Sequence, residues 1–418
     1  MQSLIQILIA EFQEKIFHLQ NTITRKASFP KVDNKIKVAI GMRRTGKTVF
    51  IFQQISNLLQ TGVSLSEILY INFEDDRLLS LTRNKLSEIL DSFYSFYPEN
   101  HQKKCYFFLD EIQNVEDWPI IIRRFFDTKL VDIYLTGSSA KLLSKEIATS
   151  LRGRSLSVEI WPFDFNEYLQ AKDLHIDRTI MGAKTKDLLN QMLDKYLLCG
   201  GFPEVTNYES MAREQTLQEY VTVVTYRDIV ERYQITHPAI VKYMIITLIS
   251  NVASPFSINK FYNDLKSQGY KIGKDSLYEY TQYIEDVFLV FFVPLYSTSI
   301  RKVHTNPKKI YAIDPGLVRA MCLNYEQDFG HLFENLVYLD LRRKGYKVYY
   351  YLTKERYEVD FFIENTKGKQ SLIQVVWDTS DRKTQDREER ALSSAMQELK
   401  VSGYLVTKEM YLQGNIPY

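Results

Sequence analysis

The residues best placed to do chemistry come early in the chain. Gly41-Met42-Arg43-Arg44-Thr45-Gly46-Lys47-Thr48 fits the pattern G-x-x-x-x-G-K-[ST] at every fixed position. Glycines at 41 and 46 permit backbone conformations that side chains resist. Successive N–H groups can then close into a concave nest around phosphate oxygens. A helix opening at the second glycine adds the partial positive charge of its N-terminus. In such a loop Lys47 reaches the β- and γ-phosphates of a nucleotide, and the Thr48 hydroxyl is a ligand for Mg²⁺. Arg43 and Arg44 have two readings. They pair with nearby carboxylates, or they contact phosphate or a neighbouring domain.

A site of this kind needs acids. The apolar run Cys105–Leu109 ends in Asp110-Glu111. An acid at the carboxyl end of a parallel strand faces the ligand crevice. Asp110 is therefore the candidate for holding Mg²⁺, directly or through water, and Glu111 for polarising the attacking water. Further on, Ile133–Leu135 leads into Thr136-Gly137-Ser138-Ser139. Ser138 or Thr136 can hydrogen-bond the γ-phosphate or the attacking water, while Ser138 or Ser139 can also cap the next helix. Arg152 and Arg154 are candidates for stabilising transition-state charge, in cis or from a neighbouring subunit. The plainer alternative for both is a solvated loop.

The elements that must carry these groups are legible in the alternation of short apolar runs with helical patterns over residues 36–160. Strands are expected at Ile36–Ile40, Ile68–Phe73, Tyr106–Leu109, Val131–Leu135 and Leu156–Ile160, with helices beginning near Gly46, Arg83, Trp118 and Ser139. Such alternation implies a parallel sheet with helices on its faces. Residues 163–233 read as helical, broken at Gly200-Gly201 and Phe202-Pro203. Residues 237–293 read as a compact helical unit ending in a strand pair. Asp314-Pro315-Gly316 reads as a turn, Phe329–Lys344 as a helix, and Tyr346–Leu352, Tyr357–Ile363 and Ser371–Val376 as strands.

The 418 residues suggest about two to four domains. With 53 basic and 51 acidic residues the net charge is +2, a balance that neither demands nor excludes a nucleic-acid partner. Cys105, Cys199 and Cys322 are far apart and odd in number, which argues against a disulfide framework or a zinc site and fits a cytoplasmic protein. No apolar run approaches the ~20 residues of a membrane span. Leu4, Leu8, Phe12 and Ile16 share one helical face, so an amphipathic N-terminal helix is expected. Tyr220, Tyr226, Tyr233, Tyr243, Tyr278, Tyr280 and Tyr283 lie in helix-like stretches, where packing is the main expectation and stacking on bases the alternative.

Together GMRRTGKT, the INFED run at Ile71–Asp75, FLDEIQNVEDW, LTGSSAKLL, SLRGR, IWPFDFNEY, YLLCGGFPEV and YEVDFFIE resemble a known family. It is the AAA-type ATPases of archaea and bacteria that carry a C-terminal domain of restriction-endonuclease-like fold. The resemblance runs from about residue 20 to the end. It implies an α/β P-loop NTPase core over 1–165, a helical lid over 166–234, a winged-helix region over 235–295 and an endonuclease-like α/β domain over 296–418. It also points to ATP as the nucleotide; no guanine-reading N-K-x-D motif is present.

Metal-dependent nucleases of that fold need two acids and a lysine on adjacent strands. Asp360 fits the first acid and Glu334 an accessory one. Gln374 stands where the second acid belongs and Val376 where the lysine belongs, with Asp378 as a displaced acid. A glutamine lacks the charge to hold a divalent ion and a valine can carry no proton, so the domain is expected to keep the fold without the cutting chemistry. Ser257–Gln268 and Lys274–Ile284 read as two helices joined by the Gly269–Gly273 turn, followed by the strand Phe288–Val293. That is a winged-helix layout, in which Lys271, Lys274, Ser276 and Tyr278 would face a DNA major groove, with Arg301, Lys302, Lys308 and Lys309 adding basic charge. The alternatives are packing within the protein, another protein partner, or self-association. The sequence thus leads to a Mg²⁺-dependent ATP-hydrolysing protein; its rivals are a nucleotide-gated binding module with negligible turnover and a nuclease.

Overall fold

The computed structural model describes residues 2–18, 22–78, 83–138, 151, 153–178, 181–322, 328–378, 382–414 and 416. They fall into two compact units, 1–161 and 162–418.

The first unit is α/β. Helix α1 (Gln2–His18) precedes β1 (Ile36–Ile40), α2 (Lys47–Gln60), β2 (Ile68–Asn72), α3 (Arg83–Phe96), β3 (Cys105–Asp110), α4 (Trp118–Thr128), β4 (Val131–Gly137) and β5 (Ser155–Glu159). The strands form one parallel sheet in the order β2-β3-β4-β1-β5. Helices cover both faces of such a sheet, which is why β3 and β4 are buried at all but their second positions instead of alternating. The expected strands are all present, with ends displaced by one or two residues. The helix expected near Ser139 lies outside the described residues. Helix α1 buries Ile5, Ile9, Phe12 and Ile16, one step round from the expected face, with Leu4 and Leu8 on its flank. Phe12 stacks on Tyr70 of β2, ring centroids 5.4 Å apart. The topology puts β4 between β1 and β3, so the loop after β1 and the acids where β3 ends share the carboxyl end of the sheet, ~10 Å apart at the usual strand spacing.

The second unit opens with α5 (Phe165–Ala171), α6 (Ala183–Cys199) and α7 (Ser210–Val223), the last running on as a π-helical segment, Val224–Glu231. Then come α8 (Pro238–Ser250), β6 (Pro255–Phe256), α9 (Ile258–Ser267), α10 (Lys274–Asp286), β7 (Val290–Val293), α11 (Ile300–Thr305) and β8 (Lys308–Ala312). Strand β8 lies between β6 and β7 in an antiparallel sheet. The boundary expected at 295 therefore cuts a sheet in two, because the partner of β7 arrives after an intervening helix. The chain closes with α12 (Pro315–Met321), α13 (Phe329–Arg343), β9 (Lys347–Leu352), β10 (Glu358–Glu364), β11 (Gln370–Val376), α14 (Arg382–Leu399), β12 (Ser402–Thr407) and α15 (Lys408–Leu412). The order β12-β11-β10-β9 makes a mixed sheet. Its core packs Val359, Phe362 and Leu372 against Ala391, Leu392 and Ala395 of α14.

Asp314-Pro315-Gly316 is not a free turn but the start of α12. The Asp314 carboxylate accepts from the Leu317 N–H at 3.2 Å, and Pro315 occupies the first helical turn, where its missing N–H costs nothing. Its other oxygen accepts from the Gly201 N–H at 2.6 Å. Burial pushes Asp314 up to about 6, against the pull of the N–H groups of Gly201, Leu317 and Gly316. An acid raised in the folded state stabilises most below its ordinary value near 3.8 and loses that contribution as pH climbs to about 6. The loss is roughly 3 kcal/mol. Urea melts of Asp314→Asn and wild type should diverge accordingly: between pH 4 and pH 7 the difference in unfolding free energy moves toward the variant. A difference that stays flat across that window contradicts the assignment.

Candidate functional site

The loop between β1 and α2 is shaped by sterics first. A Cβ on Gly41 would lie 2.2 Å from the Ile160 carbonyl oxygen, so only glycine fits. Arg44 (φ 67°) and Gly46 (φ 92°) take left-handed backbone on either side of Thr45, the alternation that curls N–H groups into an anion nest. No side chain caps α2, and its first N–H groups face the loop. Thr45 is buried, its hydroxyl donating to the Met42 carbonyl at 3.0 Å. Arg25, ahead of the sheet, donates to the Thr45 carbonyl at 2.8 Å and to that of Trp161. Arg43 pairs with Glu74 of the INFED run at 2.7 Å, which supports the first of its two readings; Arg44 is exposed. The Lys47 ammonium is buried, donates to the Gly41 and Met42 carbonyls at 3.1 and 3.0 Å, and lies 3.7 Å from the Glu111 carboxylate.

Three hydroxyls converge on Asp110. Thr48 donates at 2.8 Å, Tyr70 at 3.0 Å, and Thr136 to the other carboxylate oxygen. Burial raises the Asp110 carboxyl and the neighbouring Glu111 charge adds to it; the three hydroxyls pull the other way. Glu111 takes left-handed backbone (φ 53°), a conformation that costs roughly 1–2 kcal/mol for a side-chain-bearing residue. The Thr136 hydroxyl holds it there by accepting from the Glu111 N–H at 2.9 Å. The Gln113 amide donates to the Glu111 carboxylate. One hydroxyl can donate once and still accept, so Thr136 spends its single hydrogen on Asp110 while holding the Glu111 N–H. Ser138 is buried, and its hydroxyl has no hydrogen-bond partner among the described residues. Tyr70, Gln113, Glu74 and Arg25 were not legible as site residues; only the strand register of β2 against β3 could have pointed to Tyr70.

A family model described as an AAA domain matches residues 33–169. Two described as domains of unknown function match 190–328 and 329–415. The uncharacterised protein MJ1544 of Methanocaldococcus jannaschii is 36% identical over 383 residues, 91% of this chain and 82% of its own length. An uncharacterised protein of Haemophilus influenzae is 31% identical over 316 residues, 75% of this chain and 76% of its own length. The chain belongs to their family. Among solved structures, a Walker-type ATPase of Pyrococcus abyssi aligns with a TM-score of 0.46 at 16% identity, over 73% of this chain and 99% of that one.

Within the AAA domain Arg154 parts company with the loop. Arg154 precedes β5, whose first residue Ser155 pairs with Ile36 at the start of β1. Five strand steps, ~16 Å at the usual rise, separate that end from the phosphate loop. Arg154 pairs there with Asp127 at 3.1 Å. Its own site is out of reach, which removes the in-cis reading for Arg154. Arg152 lies outside the described residues. No helix among the described residues is long and apolar enough to cross a membrane.

The acids expected in the C-terminal part do meet. Asp360 on β10 and Glu334 on α13 both contact the Lys309 ammonium, at 3.2 and 2.7 Å. Gln374 on β11 accepts from the Asp360 N–H at 3.3 Å and donates to Glu388 at 2.6 Å; Val376 is buried and Asp378 exposed. Lys309, expected to add to a basic surface with Arg301, Lys302 and Lys308, is instead 1% exposed. The reason is its place on β8, the central strand of its sheet. Burial alone would lower its ammonium; the charges of Glu334, Asp360 and Glu358, with Tyr311, outweigh that and hold it well above its usual range.

Proposed function

We propose that the chain binds ATP together with Mg²⁺ in the AAA domain and hydrolyses it, the hydrolysis being coupled to rearrangement of the appended parts. The observation that carries this reading is the 2.8 Å contact between Thr48 and Asp110, which joins the phosphate loop to the strand acids. Both contribute hard oxygens, the donors Mg²⁺ prefers, so Thr48 and Asp110 would hold the ion. When bound it would neutralise charge on the phosphates. The nest amides of 41–48 cradle the phosphates, and Lys47 turns from its own loop carbonyls to the β- and γ-oxygens. Glu111 accepts the proton of the attacking water. Ser138, with a buried hydroxyl to spare, bonds the γ-phosphate, while Arg154 acts on a neighbouring subunit and Arg152 acts either in cis or on such a neighbour.

A second reading, a nucleotide-gated binding module with negligible turnover, draws support from Glu111 itself. Its carboxylate is engaged by Gln113 and faces Lys47, so it must be released before it can take a proton. DNA contact is a further part of the proposal. The run α8-β6-α9-α10-β7-β8, with β8 between its partners, is consistent with a winged helix. Lys271, Tyr278, Arg301, Lys302 and Lys308 are exposed on it, and Lys274 sits 5.8 Å from the Tyr278 ring.

Phosphate release separates these readings when measured with Mg²⁺, with a chelator, and with duplex DNA at two salt concentrations. Mg²⁺-dependent turnover is expected, and DNA affinity should fall steeply with salt as counterions are released. Nucleotide uptake without turnover selects the gated module. Well-folded protein that takes up neither ATP nor GTP in calorimetry with Mg²⁺ overturns the nucleotide site.

A further inference from the structure

Lys309 sits where three carboxylates converge. Its Nζ lies 2.7 Å from Glu334, 2.8 Å from Glu358 and 3.2 Å from Asp360. The acids come from two elements, α13 and the start of β10, and the lysine from a third, β8. An ammonium has three N–H donors and no acceptor; here it hydrogen-bonds Asp360 and pairs by charge with Glu334 and Glu358. The surrounding oxygens are fixed as well. Tyr311 donates to Glu334 at 2.6 Å, and the second Asp360 oxygen accepts from the Val375 N–H at 3.0 Å. A cavity of about 680 Å³ opens onto the cluster, with Glu388 and Arg356 also on its wall.

Carboxylates around a polar cavity are the donors a divalent cation takes, yet no three acids among the described residues are arranged to hold one as they stand, with the ammonium between them. Here the contacts have the length of N–H···O bonds to charged partners, not of metal–oxygen bonds. Nζ is the atom that Glu334 and Asp360 share, so a metal drawing on both acids would compete with the ammonium for them. We propose that Lys309 is a built-in cation that takes the place of a divalent metal, making this centre a closed, charge-balanced node that joins β8, α13 and β10. The cluster then serves cohesion, and metal-dependent hydrolysis at Asp360 is shut off by the lysine as well as by Gln374 and Val376. This inference is independent of the nucleotide site.

Removing the ammonium should open the position. Lys309→Ala in the full chain should take up one more equivalent of Mn²⁺ than wild type by calorimetry. Adding Asp360→Asn to that variant should abolish the extra equivalent, and Asp360→Asn in the wild-type background should leave Mn²⁺ uptake unchanged. Lys309→Met fills the space without the charge and should gain nothing. If Lys309→Ala melts cooperatively only when Mn²⁺ is present, the metal has replaced the lysine, as expected. The proposal is overturned if wild type loses Mn²⁺ on Asp360→Asn, if folded Lys309→Ala gains no equivalent, or if it stays unfolded with Mn²⁺ present.

Discussion

Glu111→Gln should slow phosphate release by two to four orders of magnitude while leaving ATP uptake within a few-fold of wild type. The size follows from what a positioned general base supplies, roughly 10²–10⁴ in rate, or about 3–5 kcal/mol of barrier. Uptake survives for structural reasons. Glutamine keeps the volume, and its carbonyl can still accept from Gln113. It also frees Lys47, 3.7 Å from the native carboxylate, to serve phosphate alone. Lys47→Ala should do the reverse and weaken uptake itself, since the nest loses the buried ammonium that would meet the phosphates. The two variants, compared by calorimetry and single-turnover phosphate release, divide binding from chemistry. Turnover in Glu111→Gln equal to that of wild type removes Glu111 from the mechanism.

Gly316→Ala should be among the most destabilising single-methyl changes in the second unit. A Cβ at 316 would lie 2.3 Å from the Cys199 carbonyl oxygen and 2.7 Å from the Gly200 nitrogen. Both are backbone atoms at the end of α6, so no side chain can step aside. The neighbourhood is equally tight: a Cβ on Gly201 would meet the Phe163 carbonyl at 2.2 Å, and one on Gly200 the Asp314 carboxylate at 1.9 Å. Overpacking of this kind costs ~3 kcal/mol or more. For a unit of this size the melting temperature should fall by roughly 6–12 °C. A melt within a degree of wild type would show that α12 can lift off α6 without penalty.

How much of this was readable beforehand depended on the range of the contact. GMRRTGKT and the FLDE run encode local backbone geometry: glycines where sterics forbid a Cβ, acids at a strand's end. Their places in the fold therefore follow from spacing. Tyr70 looked like strand filler. It reaches Asp110 only because β2 pairs with β3 in the register Tyr70–Phe108, which sets the phenol two residues from Asp110 on the same face. Glu74 and Gln113 were hidden for the same reason, being ordinary polar residues until the fold brings a charged group beside them. Lys309 misled most. At the start of a strand a lysine reads as surface charge, and nothing local reveals that both neighbouring strands arrive to bury it.

The Thr136 hydroxyl stands between two acids, its one hydrogen committed to the first. It gives that proton to Asp110 and receives the amide hydrogen of Glu111, so the chain of dipoles has a direction. Whatever draws on the aspartate polarises the bond that keeps the glutamate's backbone in its costly conformation. In the proposed function, ion capture and water activation would hang from a single peg. Substitutions at 110 and 136 should then fail to add, the double replacement costing little beyond the worse of the two.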